Sequence, residues 1–117
     1  MGARSRNKGK RGELEACRAF TDAGWPARRG VQRAGGPDSP DIVIDDLPGL
    51  HVEVKRAERF NLYDALAQSR RDAGDAKMPI VMHRRNDHPW VVVLSFEDFA
   101  RLVRGSVLEA DDVEIPF

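Results

Sequence analysis

Two short apolar runs separated by a turn-forming cluster constrain this chain more than any other feature. Asp41 to Ile44 is the first run, Leu50 to Val54 the second, and Asp45-Asp46-Leu47-Pro48-Gly49 lies between them. Runs of strand length joined by Asp, Pro and Gly form an antiparallel hairpin. With the turn centred near Leu47, Asp41 lies opposite Glu53. Directly opposed residues have Cβ atoms about 5 Å apart, and two like charges there weaken the sheet. A divalent cation offsets that repulsion: Mg²⁺ binds carboxylate oxygens at roughly 2.1 Å and is usually held by one or two carboxylates plus water and substrate phosphate. Strand alternation puts Lys55 on the face of Glu53, with Val52 and Val54 on the other. The spacing therefore predicts that acid, acid and amine converge.

At 117 residues the chain suits one domain, which buries roughly two-thirds of its unfolded surface without disulfides or structural metal. The single cysteine, Cys17, forms no internal disulfide, and no other Cys or clustered His completes a zinc site, which fits a reducing cytoplasm. No stretch approaches the ~18 apolar residues of a membrane span. The N-terminal charges precede no apolar segment, and Arg6 stands where a myristoylation signal needs Ser or Thr. A soluble, cytoplasmic protein with no membrane partner is expected.

The net charge of zero conceals an asymmetry. Residues 1–35 hold nine basic and three acidic side chains, and residues 105–117 hold four acidic and no basic ones. A basic leading third implies a polyanion footprint on one face.

Residues 2–9 lack sizeable apolar side chains, so residues 1–9 are expected to be a flexible basic arm before a domain over 10–105 and an acidic tail over 106–117. A first helix is expected from near Lys10 to Ala23, stopped by Gly24, with Ala16, Cys17 and Phe20 on its buried stripe. Glu13 falls on that stripe, out of place unless it points into a cleft. Glu15, beside Arg18 at i+3, is expected to be a solvated surface residue. Trp25 to Val31 reads as a strand and Arg33 to Ser39 as a loop, in which Gly35 and Gly36 permit close approach of a ligand.

Asn61 is a cap for a second helix ending near Gly74, with Leu62, Ala65, Leu66, Ser69 and Ala73 inward. Met78 to Met82 and Trp90 to Leu94 are continuous apolar runs, expected as central strands covered on both sides. The link between them carries His83, Arg84, Arg85 and His88. Ser95 starts a third helix with Phe96, Phe99, Ala100 and Val103 inward and Gly105 as its stop. His51 shares parity with Glu53, but a solvent-facing position is the expectation for it. Trp25 and Trp90 are expected in the core or at a subunit contact, and the tail offers Ile115 and Phe117 for packing at no definable place. The order gives an α/β fold, a mixed β-sheet flanked by helices in a single domain.

Lys8-Gly9-Lys10-Arg11-Gly12-Glu13 at a helix start, Pro40-Asp41 at a strand start and Glu53-Val54-Lys55 on the next strand resemble the PD-(D/E)XK nuclease superfamily. Within it they look most like the archaeal-type Holliday junction resolvases and their phage relatives. The similarity covers about residues 8 to 103. Pro37-Asp38 also reads as Pro-Asp, and Asp41 is chosen because it begins the apolar strand and faces Glu53.

The resemblance implies a restriction-endonuclease-like sheet and a metal-dependent endodeoxyribonuclease. In that reading Asp41, Glu53 and the Val54 carbonyl hold Mg²⁺, with Mn²⁺ as an alternative, Glu13 adds a further carboxylate, and Lys55 acts on the attacking water or the phosphorane. It implies DNA contacts from Lys8, Lys10, Arg11, Arg33, Arg56 and Gln68, four-way DNA junctions as the target, a homodimer, and a setting in recombination. The tyrosine that follows the glutamine in the exonuclease branch is missing, which disfavours a processive exonuclease. A related nicking, flap or restriction-type endonuclease, or a non-catalytic nucleic-acid-binding module of the same fold, are the alternatives.

Overall fold

In the computed structural model the backbone is described for residues 2–31 and 40–110, and side chains from residue 9 onward within those stretches. The chain runs as α1 (Gly2–Asp22), β1 (Ala27–Arg29), β2 (Ile42–Ile44), β3 (Leu50–Arg56), α2 (Leu62–Ala73), β4 (Met78–Arg84), β5 (Val91–Val93) and α3 (Phe96–Val103). The five strands form one mixed sheet in the order β1-β2-β3-β4-β5. β1–β2, β2–β3 and β4–β5 are antiparallel, while β3 and β4 are parallel. A parallel pair requires a crossover, and α2 supplies it.

The helices cover different parts of the sheet. α1 packs on β1, β2 and β3, whereas α2 packs on β3 and β4. Ala16 and Cys17 of α1 form the apolar core with Ile42, Ile44, Val52, Ile80 and Met82. Those β3 and β4 residues share one parity; His51, Glu53 and Val81 have the other parity and are also buried. Alternate strand residues face opposite ways, so the second set lies on the α2 face. There α2 buries only Ala65, Ser69 and Ala73, side chains small enough for a helix to lie close to a sheet.

The order and type of all eight elements agree with the sequence pattern, as do several local signals. Asn61 Oδ1 accepts from the Asp64 N–H at 3.1 Å and Ser95 Oγ from the Asp98 N–H at 3.1 Å, capping α2 and α3. Gly24, at φ 109°, follows α1 in a backbone conformation open mainly to glycine.

Several expectations are corrected. α1 reaches back to Gly2 rather than starting near Lys10, so residues 2–9 of the expected flexible arm are helical backbone; Ala, Arg and Lys are good helix formers and no proline interrupts them. β5 is an edge strand, not a covered central one, and leaves Val91 and Val92 exposed. On α3 two of the four residues expected inward are exposed, Phe96 at 83% and Phe99 at 47%, while Ala100 and Val103 are half-buried and Asp98 is 1% exposed. Asp98 is drawn in by Arg70 Nη2 of α2 at 2.7 Å and Arg101 Nη1 at 3.4 Å. Leu62 is also more exposed than expected, and Trp25 is exposed while Trp90 packs against the core. His83 belongs to β4 rather than to the link that follows it. The loop with Arg33, Gly35, Gly36 and Asp38, and the tail with Ile115 and Phe117, lie outside the described residues.

Candidate active site

The site begins with the register of one hairpin. Ile42 pairs with Val52, so the next position outward brings Asp41 alongside Glu53. The Asp41 N–H donates to the Val52 carbonyl at 3.0 Å, and its carboxylate accepts the Val54 N–H at 2.8 Å. Two bonds to one short stretch of β3 thus tie Asp41 to the strand that carries Glu53 and Lys55. In an antiparallel ladder the N–H and C=O of one residue point to the same neighbour. The Val54 carbonyl therefore leaves β3 on the Asp41 side.

Glu13 comes to this corner from α1. Its Oε1 accepts from Arg29 Nε of β1 at 2.8 Å, so an acid on the apolar stripe is held at the sheet rather than in solvent. Burial raises the Glu13 carboxyl above its ordinary pKa, the Arg29 hydrogen bond opposes this, and the Asp41 charge adds to the rise. Asp41 acts on Glu53 in the same direction. Burial raises the Glu53 pKa, a hydrogen bond from His51 counters it, and both the charge of Asp41 and a hydrogen bond between the two carboxyls raise it further. Asp41 is therefore within electrostatic reach of both glutamates, and this end of the sheet is the acid corner.

His51, expected to face solvent although its parity with Glu53 allowed it to edge the site, belongs to that corner. It is fully buried, and its Nε2 lies 3.0 Å from Glu53 Oε1. For an ionised Glu53, Nε2 must carry the proton, which in a neutral ring leaves Nδ1 as a bare acceptor. Among the described residues Nδ1 is buried without a partner. A proton on Nδ1 would be a buried donor with nowhere to go, so both nitrogens favour the same tautomer. The signal available in the sequence was parity with Glu53; cover by α2 was not readable from β3 alone.

Among the described residues no group of three His, Cys, Asp or Glu side chains stands at metal-ligating spacing. The donor chemistry nevertheless fits a hard cation. Mg²⁺ is commonly held by one or two carboxylates with water completing its shell, and Asp41, Glu53 and the Val54 carbonyl offer oxygen donors on neighbouring strands.

The basic residues divide between two hollows. Lys55 and Gln68 line one of about 220 Å³ with Arg59, Phe60 and Asn61. Arg11 and Arg56 line another of about 250 Å³ with Gly12, Glu15 and Asn86. Glu15, expected as a solvated surface residue, is half-buried and paired across the fold: its Oε1 accepts from Arg84 at 3.0 Å and Arg56 at 3.3 Å, and Arg56 also donates to Asn86 at 2.8 Å. Arg56 thus has protein partners where a phosphate contact was expected. Lys10 and Arg11 are exposed on α1, the Lys8 side chain and Arg33 lie outside the described residues, and Gln68 is exposed beside Lys55.

Gly12 explains why a glycine precedes Glu13. A Cβ at that position would stand 2.6 Å from Arg56 Cβ, inside any normal contact. The missing side chain lets α1 approach β3 and carries Glu13 to the acid corner. No protein-family model matches the chain, and neither does any curated protein or solved structure.

Proposed function

We propose that this protein is a Mg²⁺-dependent, structure-selective DNA endonuclease of restriction-endonuclease-like fold, a Holliday junction resolvase acting as a homodimer. The observation that carries the reading is Asp41, hydrogen-bonded to β3 beside Glu53 and near enough to Glu13 for its charge to act on both glutamates, whose pKa values burial already raises. A binding module has no use for such a corner. The resemblance of the motifs around Glu13, Asp41 and Glu53-Val54-Lys55 supports the same reading.

Asp41, Glu53 and the Val54 carbonyl, with Glu13 as a further carboxylate, would hold a Mg²⁺, which would supply charge for the scissile phosphate and lower the pKa of a bound water. The chain's own groups do the rest. Asp41 keeps its place through the Val54 N–H, and Glu53 through His51. Lys55, two residues beyond Glu53 on the same face, brings an ammonium to offset charge that grows on the phosphorane oxygens. The basic first third of the chain would add sequence-independent phosphate contacts, leaving selectivity to DNA shape.

A four-way junction has near two-fold symmetry and calls for two matched cuts, which a symmetric pair of single-site subunits provides. Phe96 and Phe99 of α3, both exposed with ring centroids 6.5 Å apart, offer apolar surface to a second subunit.

The test is cleavage of a labelled four-way junction beside matched linear duplex, in Mg²⁺ and in EDTA, by wild type, Glu53→Ala and Asp41→Asn. Paired symmetric cuts on the junction alone, lost in EDTA and in both variants while DNA binding persists, are expected. Equal cutting of junction, flap and duplex would replace the resolvase assignment with a related endonuclease. Tight junction binding with no cut on any substrate would leave a binding module.

A further inference from the structure

The hollow beside Lys55 has a feature that catalysis at the acid corner leaves unused. Its wall includes Phe60, whose ring stacks on His83 with centroids 4.0 Å apart and planes at 10°. His83 is itself fastened, Nε2 to the Ala57 carbonyl at 3.0 Å. His83 is also the cross-strand partner of Lys55 in the parallel β3–β4 register. Neighbouring strands lie about 4.8 Å apart, so a rigid aromatic platform begins one strand away from the amine.

Resting on the nuclease reading, we propose that this hollow receives one unpaired nucleobase of the nucleotide adjoining the scissile phosphate, with Phe60 as its stacking platform. Three observations converge on that ligand. Lys55 lines the same hollow as Phe60 and pairs in register with His83, so a phosphate drawn to its amine lies beside the Phe60–His83 pair. The hollow is about 220 Å³, below the roughly 300–1,000 Å³ of pockets for drug-sized molecules, which suits one planar ring rather than a base pair. The lining is amphipathic in the required way: an aromatic wall for the base face, the cations Lys55 and Arg59, which outnumber the one carboxylate, Asp64, for the backbone, and amides of Asn61 and Gln68 for base edges. Asn61 uses Oδ1 to cap α2, so its NH₂ remains a donor toward the hollow.

A base must leave its stack to enter, and this costs least where it is already unpaired. Branch points, flaps and bulges are therefore favoured over continuous duplex at the same sequence. Because every base has a π face, stacking on Phe60 tolerates sequence. The hollow thus selects nucleic-acid shape without selecting sequence.

The experiment is a coupling measurement with Ca²⁺ replacing Mg²⁺ so that the DNA stays whole. Single abasic substitutions are walked across the branch point of a four-way junction, and affinity is measured for wild type, Phe60→Leu and Phe60→Trp. One abasic position is expected to weaken wild-type and Phe60→Trp binding roughly 5- to 100-fold, the range of base–aromatic stacking, and to leave Phe60→Leu binding unchanged. Circular dichroism and melting establish that the variants fold; should Phe60→Leu not fold, Gln68→Ala, at an exposed position, takes its place and is expected to reduce the same abasic effect. Equal abasic effects in all proteins, or none at any position, would overturn the proposal. If wild type cuts the junction in Mg²⁺ yet shows no such coupling, the nuclease reading stands and the base pocket falls. If wild type binds no DNA, both fall.

Discussion

His51 Nε2 and Glu53 Oε1 lie 3.0 Å apart inside β3, and the imidazole is fully buried while the carboxyl is close to the acid corner. Residues that orient a metal-binding carboxylate from behind typically alter metal affinity or activity by about 10- to 100-fold when removed. His51→Leu is expected to weaken Mn²⁺ binding, measured by calorimetry, by that factor. His51→Gln, whose amide can still donate to Glu53, should recover most of the loss. A purely structural imidazole would lower the melting temperature in both variants and leave Mn²⁺ affinity as in wild type.

Glu13 and Glu53 both have raised pKa values because of burial and the Asp41 charge. The folded state then binds protons more tightly than the unfolded chain. Their contribution to stability is greatest below the unfolded value of about 4.5 and declines as pH rises through the higher folded values. Glu53→Gln removes one of these groups. The metal-free variant is therefore expected to melt higher than wild type at pH 8, with the difference shrinking toward pH 4. An equal shift at both pH values would show that repulsion in the corner is not its cause.

Mg²⁺ should relieve the same repulsion. Addition of Mg²⁺ at pH 8 is expected to raise the wild-type melting temperature, because a ligand of the folded state alone stabilises it by about 2.7 kcal/mol at one hundred times its dissociation constant. Asp41→Asn should abolish that response. A response of equal size in Asp41→Asn would place the cation elsewhere.

Gly12→Ala sets two effects against each other. Alanine gains about 1 kcal/mol over glycine inside a helix. The added Cβ, however, would meet Arg56 Cβ at 2.6 Å, and overpacking costs typically about 1–3 kcal/mol. Because the obstacle is the near end of a side chain on a central strand, the clash should win, with net destabilisation in urea unfolding and reduced cleavage as Glu13 is displaced. A more stable, fully active variant would contradict the close approach of α1 to β3.

Asp98 and its two arginines give a contrast in magnitude. Its carboxylate is 2% exposed, whereas Arg70 and Arg101 are 55% and 59% exposed. Asp98→Ala removes a charge-assisted hydrogen bond at 2.7 Å and should destabilise by about 1.5–3 kcal/mol. Arg101→Ala, at 3.4 Å and in solvent, should cost below about 1 kcal/mol. Similar costs for both would mean that α3 is held by something other than Asp98.

The hairpin was legible because side-chain parity in a strand is strict and the turn set its register, which placed Asp41 beside Glu53. Glu13 was legible as a misfit on an apolar stripe. Other features depend on partners far away in sequence. His51 could be given a face of β3 but not its cover, because α2 arrives from the crossover. Glu15 had a local partner in Arg18, yet Arg56 and Arg84 reach it from strands across the fold. The apolar pattern of α3 pointed Phe96 and Phe99 inward, and the ion pair with Arg70 of α2 turned Asp98 inward instead. A continuous apolar run cannot tell an edge strand from a central one, so β5 was misplaced.

The hairpin that joins Asp41 to Glu53 is also the shortest-range pairing in the site, and this has a kinetic consequence. Local pairings require little loop closure and form early, whereas Glu13 and α2 reach the corner through longer loops. The repulsion between Asp41 and Glu53 is then met on the way up the folding barrier rather than after it. Neutralising Glu53 should speed refolding and leave the unfolding limb of the chevron nearly unchanged. The chemistry of the site would thus be written into how fast the molecule assembles.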